Sequence, residues 1–166
     1  KNGSANWESQ VTENWVEIEG YELVSDQSYT IDISADPNQN VITFYYVKDV
    51  TINYQVVGPT GCGAVDPTSE TIGAMNGQAG GSTATASSSV YKFVGWYLDS
   101  DCKNPVPTEW VDASGKITPQ KPGDLWVNAT YYAKFEYNLT SLTIDKAFPS
   151  GADYSMDVNQ SFLFDV

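Results

Sequence analysis

Histidine and arginine are absent from the 166 residues, and lysine supplies all eight basic side chains against 21 acidic ones, for a formal charge of -13 at pH 7. Each absence closes a class of function. Without histidine there is no Ser/His/Asp or Cys/His relay, no imidazole metal ligand and no side chain that switches charge near neutral pH. Without arginine there is no forked clamp for phosphate, and dispersed lysines do not offset so large a negative field against a polyanion. Nucleic acid and anionic membrane surfaces are therefore poor partners. No run of about 18 apolar residues occurs, so direct membrane insertion is not expected. The opening Lys1-Asn2-Gly3-Ser4 has no apolar secretory core, and the chain is read as less than a complete precursor. What is present points to a folded chain: 41% hydrophobic and 13% aromatic residues are enough for a packed core despite the charge imbalance.

Cysteine is scarce too. Cys62 lies in Gly-Cys-Gly and Cys102 in Asp-Ser-Asp-Cys-Lys-Asn, both turn-like contexts that predict exposure. A lone exposed thiol is a liability outside a reducing compartment. A disulfide between Cys62 and Cys102 is thus the expected pairing, with two free thiols as the alternative. The bridge would close about 40 residues and contribute roughly 4 kcal/mol on the chain-entropy account.

Self-similarity organises the rest. Gly20-Tyr21-Glu22-Leu23-Val24-Ser25-Asp26 returns as Gly95-Trp96-Tyr97-Leu98-Asp99-Ser100-Asp101, and Tyr45-Tyr46-Val47-Lys48 returns as Tyr131-Tyr132-Ala133-Lys134. Tyr45 follows Gly20 by 25 positions and Tyr131 follows Gly95 by 36, which predicts a surface insertion within residues 99–122, where four prolines cluster. Strand signals dominate. Residues 41–57 are almost all β-branched or aromatic, broken at Lys48-Asp49, and read as two strands. In the second, Val50, Ile52, Tyr54 and Val56 alternate with polar residues, the period of a half-buried strand. Further strands are expected at 91–98, 126–137, 139–144 and 161–166, with at most a short helix at 8–15. The small-residue tract 73–89 suits either a linker or a strand with one small face, and the strand is preferred. Three pieces result: 1–48, the closing part of one unit or a small unit; 49–138, a complete second unit; and 139–166, the truncated start of a third.

The residues of these units resemble known bacterial surface repeats. Ile18–Val24 followed by Asn40–Lys48 resembles the closing half of MucBP (mucin-binding protein) repeats of Gram-positive cell-wall-anchored proteins. Tyr91–Tyr97, Cys102 and Ala129–Phe135 are similar to internalin B-repeat-type units, whose fold is β-grasp-like. Leu142-Thr143-Ile144-Asp145-Lys146 is similar to the first strand of a Cna-B or SpaA-type pilin domain. The resemblance implies a mainly β, β-grasp-like fold of tandem small domains laid end to end, on the outside of a bacterial cell. In the pilin-like family the first-strand lysine condenses with a late asparagine, which makes Lys146 an isopeptide candidate. That chemistry needs a buried, neutral amine beside an acid. The pattern departs here, because Asn159 comes too early to match, and Lys146 is read as a solvated strand lysine.

Other chemistry is weighed against plainer roles. Glu13, Glu17, Glu70 and Glu109 are acids that a glycosidase pair could draw on, but nothing around them fixes a separation of about 5 to 10 Å, and a solvated acidic face is the expected role. Asp99-Ser100-Asp101 with Asn104 offers oxygen ligands for calcium without the spaced glycine and final acid of an EF-hand, and reads as a turn. The Asn-X-Thr triplets at 128 and 138 carry no message in a bacterial protein. Trp7, Trp15, Trp110 and Trp126 are the aromatic residues without an evident core role. Two or more gathered at the surface would form a glycan-stacking platform. The expectation is therefore a non-enzymatic stalk or adhesin segment with no cofactor or metal, its partners being neighbouring repeats and host mucin glycans or glycoproteins. The alternatives are a mucin- or glycan-binding module and an accessory region of a large secreted glycosidase.

Overall fold

The structure, a computed structural model, describes residues 3–139. Lys146 and residues 140–166 lie outside the described residues. The described chain is mainly β, with two single 3-10 turns at Pro37–Gln39 and Thr108–Trp110. Its first part holds β1 (Gln10–Asn14), β2 (Tyr21–Leu23), β3 (Ser28–Asp32) and β4 (Tyr46–Lys48). These make two two-stranded ladders, β1 with β3 and β2 with β4, both antiparallel. Residues 8–15, which allowed at most a short helix that Val11 and Thr12 argued against, hold β1, because the Gln-Val-Thr-Glu-Asn alternation places Val11 and Glu13 on one face and its β-branched residues favour extension. Two-stranded ladders cannot cover both of their faces. Accordingly no side chain within residues 3–49 is fully buried. What holds this part is local: the Tyr29 and Phe44 rings lie 5.4 Å apart, and the Tyr46 hydroxyl donates to the Val16 carbonyl at 2.6 Å.

The second part is built differently. After Asp49 come β5 (Val50–Val57), β6 (Gly63–Asp66), β7 (Ser69–Ile72), β8 (Ser82–Ala86), β9 (Tyr91–Tyr97), β10 (Lys116–Ile117) and β11 (Ala129–Tyr137). A four-stranded sheet runs β7-β5-β11-β9, and a three-stranded sheet runs β10-β8-β6. In the larger sheet β5 and β11 are parallel, from Ala129 opposite Ile52 to Lys134 opposite Val57, and the other pairings are antiparallel. The expected alternation in β5 holds for Val50, Ile52 and Tyr54, all buried, but Val56 is exposed at the strand's end. On β11 the same rule buries Tyr131, Ala133 and Phe135 and leaves Tyr132, Lys134 and Glu136 on the other face. The tract 73–89 becomes a strand only over Ser82–Ala86, and its Ser82 and Ala84 face the core.

The single apolar cluster joins both sheets of this second part, with Ile52, Trp96, Ile117, Ala133 and Phe135 at its driest points. Close approach decides one backbone position. Gly81 has φ +81, and a Cβ there would stand 1.9 Å from the Ile117 carbonyl oxygen, so β10 can lie against this turn only if the residue is glycine. The two repeated signatures each pair in an antiparallel ladder. In the first copy Tyr21 faces Lys48, and in the second Trp96 faces Ala133, the same antiparallel pairing in registers one residue apart. The Thr108–Trp110 turn and β10 lie within residues 99–122.

The cysteines require a correction: both are free, and they do not form the expected disulfide. Cys62 is buried at 1% exposure, its sulfur beneath Gly58 on the face of β11 that carries Phe135. Cys102 interacts electrostatically with Lys134, whose side chain leaves the opposite face of β11. Cys62 thus lies in the core, whereas Cys102 sits half-buried in the turn after β9. A Gly-Cys-Gly context signalled a turn, but the turn folds inward against Phe135.

The asymmetry of burial gives a direct expectation. Ile52→Ala, at a site with 0% exposure, should cost about 2–5 kcal/mol in urea unfolding. Val41→Ala, where 63% of the residue is exposed, should change stability by no more than about 0.5 kcal/mol. Equal effects at the two positions would contradict the placement of the core.

Candidate functional site

The four tryptophans do not gather on one surface. Trp7 is exposed just before β1, and Trp15 is half-buried just after it, its amide donating to the Gln27 carbonyl at 2.8 Å. Trp110 is half-buried and meets the Tyr131 ring edge-on at 6.1 Å, which is core packing. Trp126 is buried, and its indole N–H donates to the Gly77 carbonyl at 2.8 Å. Trp126 lines a groove, an open space of about 500 Å³ between residues 75–79 and 118–121. That groove is polar: Asn76, Gln78, Gln120 and Lys121 surround the tryptophan edge.

One wall of the groove is also where the two parts of the chain meet. Glu22, on β2, reaches across to the tract beyond β7, accepting hydrogen bonds from the Met75 amide at 2.6 Å and the Asn76 amide at 2.9 Å. Lys121 closes the same loop from the other side, donating from Nζ to the Met75 carbonyl at 2.8 Å. A Cβ on Gly73 would stand 2.6 Å from Glu22 Oε2, so the glycine leaves the room in which the Met75 and Asn76 amides cradle the carboxylate. Partial burial pulls the Glu22 carboxyl upward, but the amides of Met75 and Asn76, the Asn76 side chain and the Lys121 charge outweigh it and hold the group below its ordinary range. Charge-assisted bonds of this kind are about twice as strong as neutral ones.

A second carboxylate does similar work within residues 50–137. Glu70 Oε1 accepts from the Tyr54 hydroxyl at 2.5 Å and from the Gly81 amide at 3.1 Å, while Oε2 accepts from the Gly80 amide at 2.7 Å. Burial, then the hydrogen bond and charge of Glu70, then Tyr131 hold the Tyr54 phenol far above its ordinary range, so it remains a donor at all physiological pH. Glu70, one of the four acids considered for glycoside cleavage, is thereby occupied as a structural acceptor. The Asp99 carboxylate accepts from the Lys103 and Asn104 amides at 3.1 and 2.8 Å and closes a turn. No group of three or more acidic or cysteine side chains stands together as a metal site among the described residues. None of the described helices is long and apolar enough to cross a membrane.

Glu22, Glu70, Tyr54 and Lys121 were not legible as partners in the sequence. The signal that bears on them is the glycine-rich tract itself, whose exposed amides attract carboxylates, but nothing in the spacing says which acid will be near. No protein-family model, curated protein or solved structure matches the chain.

The Glu22 cradle gives a pH dependence of definite sign. A carboxyl whose folded pKa is lowered stabilises the fold above its unfolded value, and the contribution is lost as pH falls through the folded value. The Met75 and Asn76 amide resonances should therefore move together on acidification, with a midpoint below the ordinary glutamate value of 4.5. Glu22→Gln should abolish that titration. A midpoint at or above 4.5 would contradict the cradle.

Proposed function

We propose that the chain is a non-enzymatic stalk segment of a bacterial cell-surface protein, made of small β-grasp-like units set end to end without slack. The observation that carries the reading is the junction. β4 ends at Lys48 and β5 begins at Val50, so Asp49 alone separates the two parts, and its amide donates to the Gly20 carbonyl at 2.9 Å. With the Glu22 cradle alongside, the joint has two attachments in place of a flexible linker.

The β-grasp-like reading of 49–138 is supported by a mixed sheet whose first and last strands, β5 and β11, are central, parallel neighbours. Tandem repetition of 1–48 and 49–138 is supported by the antiparallel ladder that each signature forms, in registers one residue apart. Extracellular, wall-anchored placement no longer draws on a disulfide. It remains consistent with the thiols as found, since Cys62 is buried and burial raises the Cys102 thiol above its ordinary range, which slows oxidation of both. High negative charge keeps such arms apart.

A second reading, a module binding host mucin glycans, is favoured by one feature: the groove in which side-chain amides, Lys121 and the edge of Trp126 stand together. Amides and an aromatic edge suit the hydroxyls and apolar faces of a sugar.

Residual dipolar couplings separate the outcomes. Couplings from residues 10–48 and 50–137 should fit one alignment frame, and two independent frames would contradict the stalk. Added mucin-type oligosaccharide should leave the Trp126 indole resonance in place under the stalk reading. Saturable shifts there and at Gln78 and Gln120 would favour the binder.

A further inference from the structure

We propose that residues 50–137 bear tension along the stalk, with the parallel pair β5–β11 as the load-bearing clamp. This deepens the stalk reading and rests on it. The chain enters this part at the N-terminal end of β5, straight from β4, and leaves it at the C-terminal end of β11. Because the two strands are parallel neighbours, those two points lie at opposite ends of one ladder, which runs from Ala129 opposite Ile52 to Lys134 opposite Val57. Tension between them slides the strands lengthwise past each other. Every bond of the ladder is then loaded at once and none can open ahead of the rest.

The surroundings suit that load. β7 and β9 flank the pair, so neither clamp strand is an edge. Ile52 and Ala133 have 0% exposure, Phe135 has 1%, and the Tyr54 and Tyr131 rings stack at 6.1 Å, so this face of the ladder is sealed from water that would otherwise replace stretched bonds. Both ends of the ladder are fastened. Asn128 accepts from the Thr51 amide at 2.8 Å where tension enters, and where it leaves Asn138 donates from its amide to the Val90 carbonyl at 2.7 Å and from its side chain to the Ser89 carbonyl at 3.1 Å. Residues 3–49, with no buried side chain, lack such a device and yield first.

Pulling one protein in two directions tests the clamp. The full chain carrying Thr60→Cys and Cys102→Ser offers handles at both termini and at residue 60, in the turn beyond β5. Terminal pulling should give a low-force extension and then one high-force event that releases residues 50–137, about 300 Å of extended chain. Pulling between residue 60 and the C-terminus loads β5 and β11 at the same end and peels them, and should open the same part at a severalfold lower force. Both directions use the same variant, so any loss of stability cancels. Equal forces in the two directions would overturn the clamp. They would leave the stalk reading standing if the dipolar couplings fit one frame, whereas two frames with unequal forces would sink the stalk and keep the clamp.

Discussion

Burying the parallel ladder between Val50–Val57 and Ala129–Tyr137 constrains every other strand of residues 50–137. Parallel neighbours cannot be joined by a tight turn, so the chain between them must leave the sheet and return. It uses that excursion to lay down β7 and β9 on either side and to build the second sheet from β6, β8 and β10 over the inner face. The core follows from this placement. Ile52, Tyr54, Tyr131, Ala133 and Phe135 point from the ladder toward Val65, Ala84 and Ile117, and Trp96 fills the space beside them, donating its indole N–H to the Gly115 carbonyl at 2.9 Å. At roughly 25 cal/mol per Å² of apolar surface, such large rings dominate what holds the part together.

The junction depends on that frame in turn. Met75 and Asn76 can present their amides to Glu22 only because the preceding strand β7 is paired to β5 and the following turn is drawn in by Glu70 through Gly80 and Gly81. Two carboxylates thus organise one small-residue tract from opposite sides. Glu70 secures it to the core, and Glu22 secures the neighbouring ladder to it. An acidic chain uses its own backbone N–H groups as the counter-charge where arginine is lacking.

The sequence was informative where periodicity is short and side chains are large. Alternation in β5 and β11, the split at Lys48-Asp49 and the paired signatures at Gly20 and Gly95 all appear as strands, because β-branched and aromatic residues leave little else to form. It left residues 8–15 open, where the two-residue period of Val11 and Glu13 forms β1, and it misled at Val56, which follows the period but lies at the strand's exposed end. Both cysteines are free, and the flanking residues of Cys62 did not show that its turn folds into the core. Trp110 and Trp126 are taken up by Tyr131 and Gly77, partners distant in sequence. For the hydrogen bonds from the tract 73–81 to Glu22 and Glu70 the glycines were the only signal, and they do not say which acid is near, since a backbone amide is the same in every residue.

Native-state hydrogen exchange tests the central claim most directly. If the buried β5–β11 ladder is the framework, the slowest amides will lie in these two strands and exchange only through global unfolding, while those of β1 and β3 open far more readily. Amides of β1 and β3 exchanging as slowly as those of β5 and β11 would contradict the account.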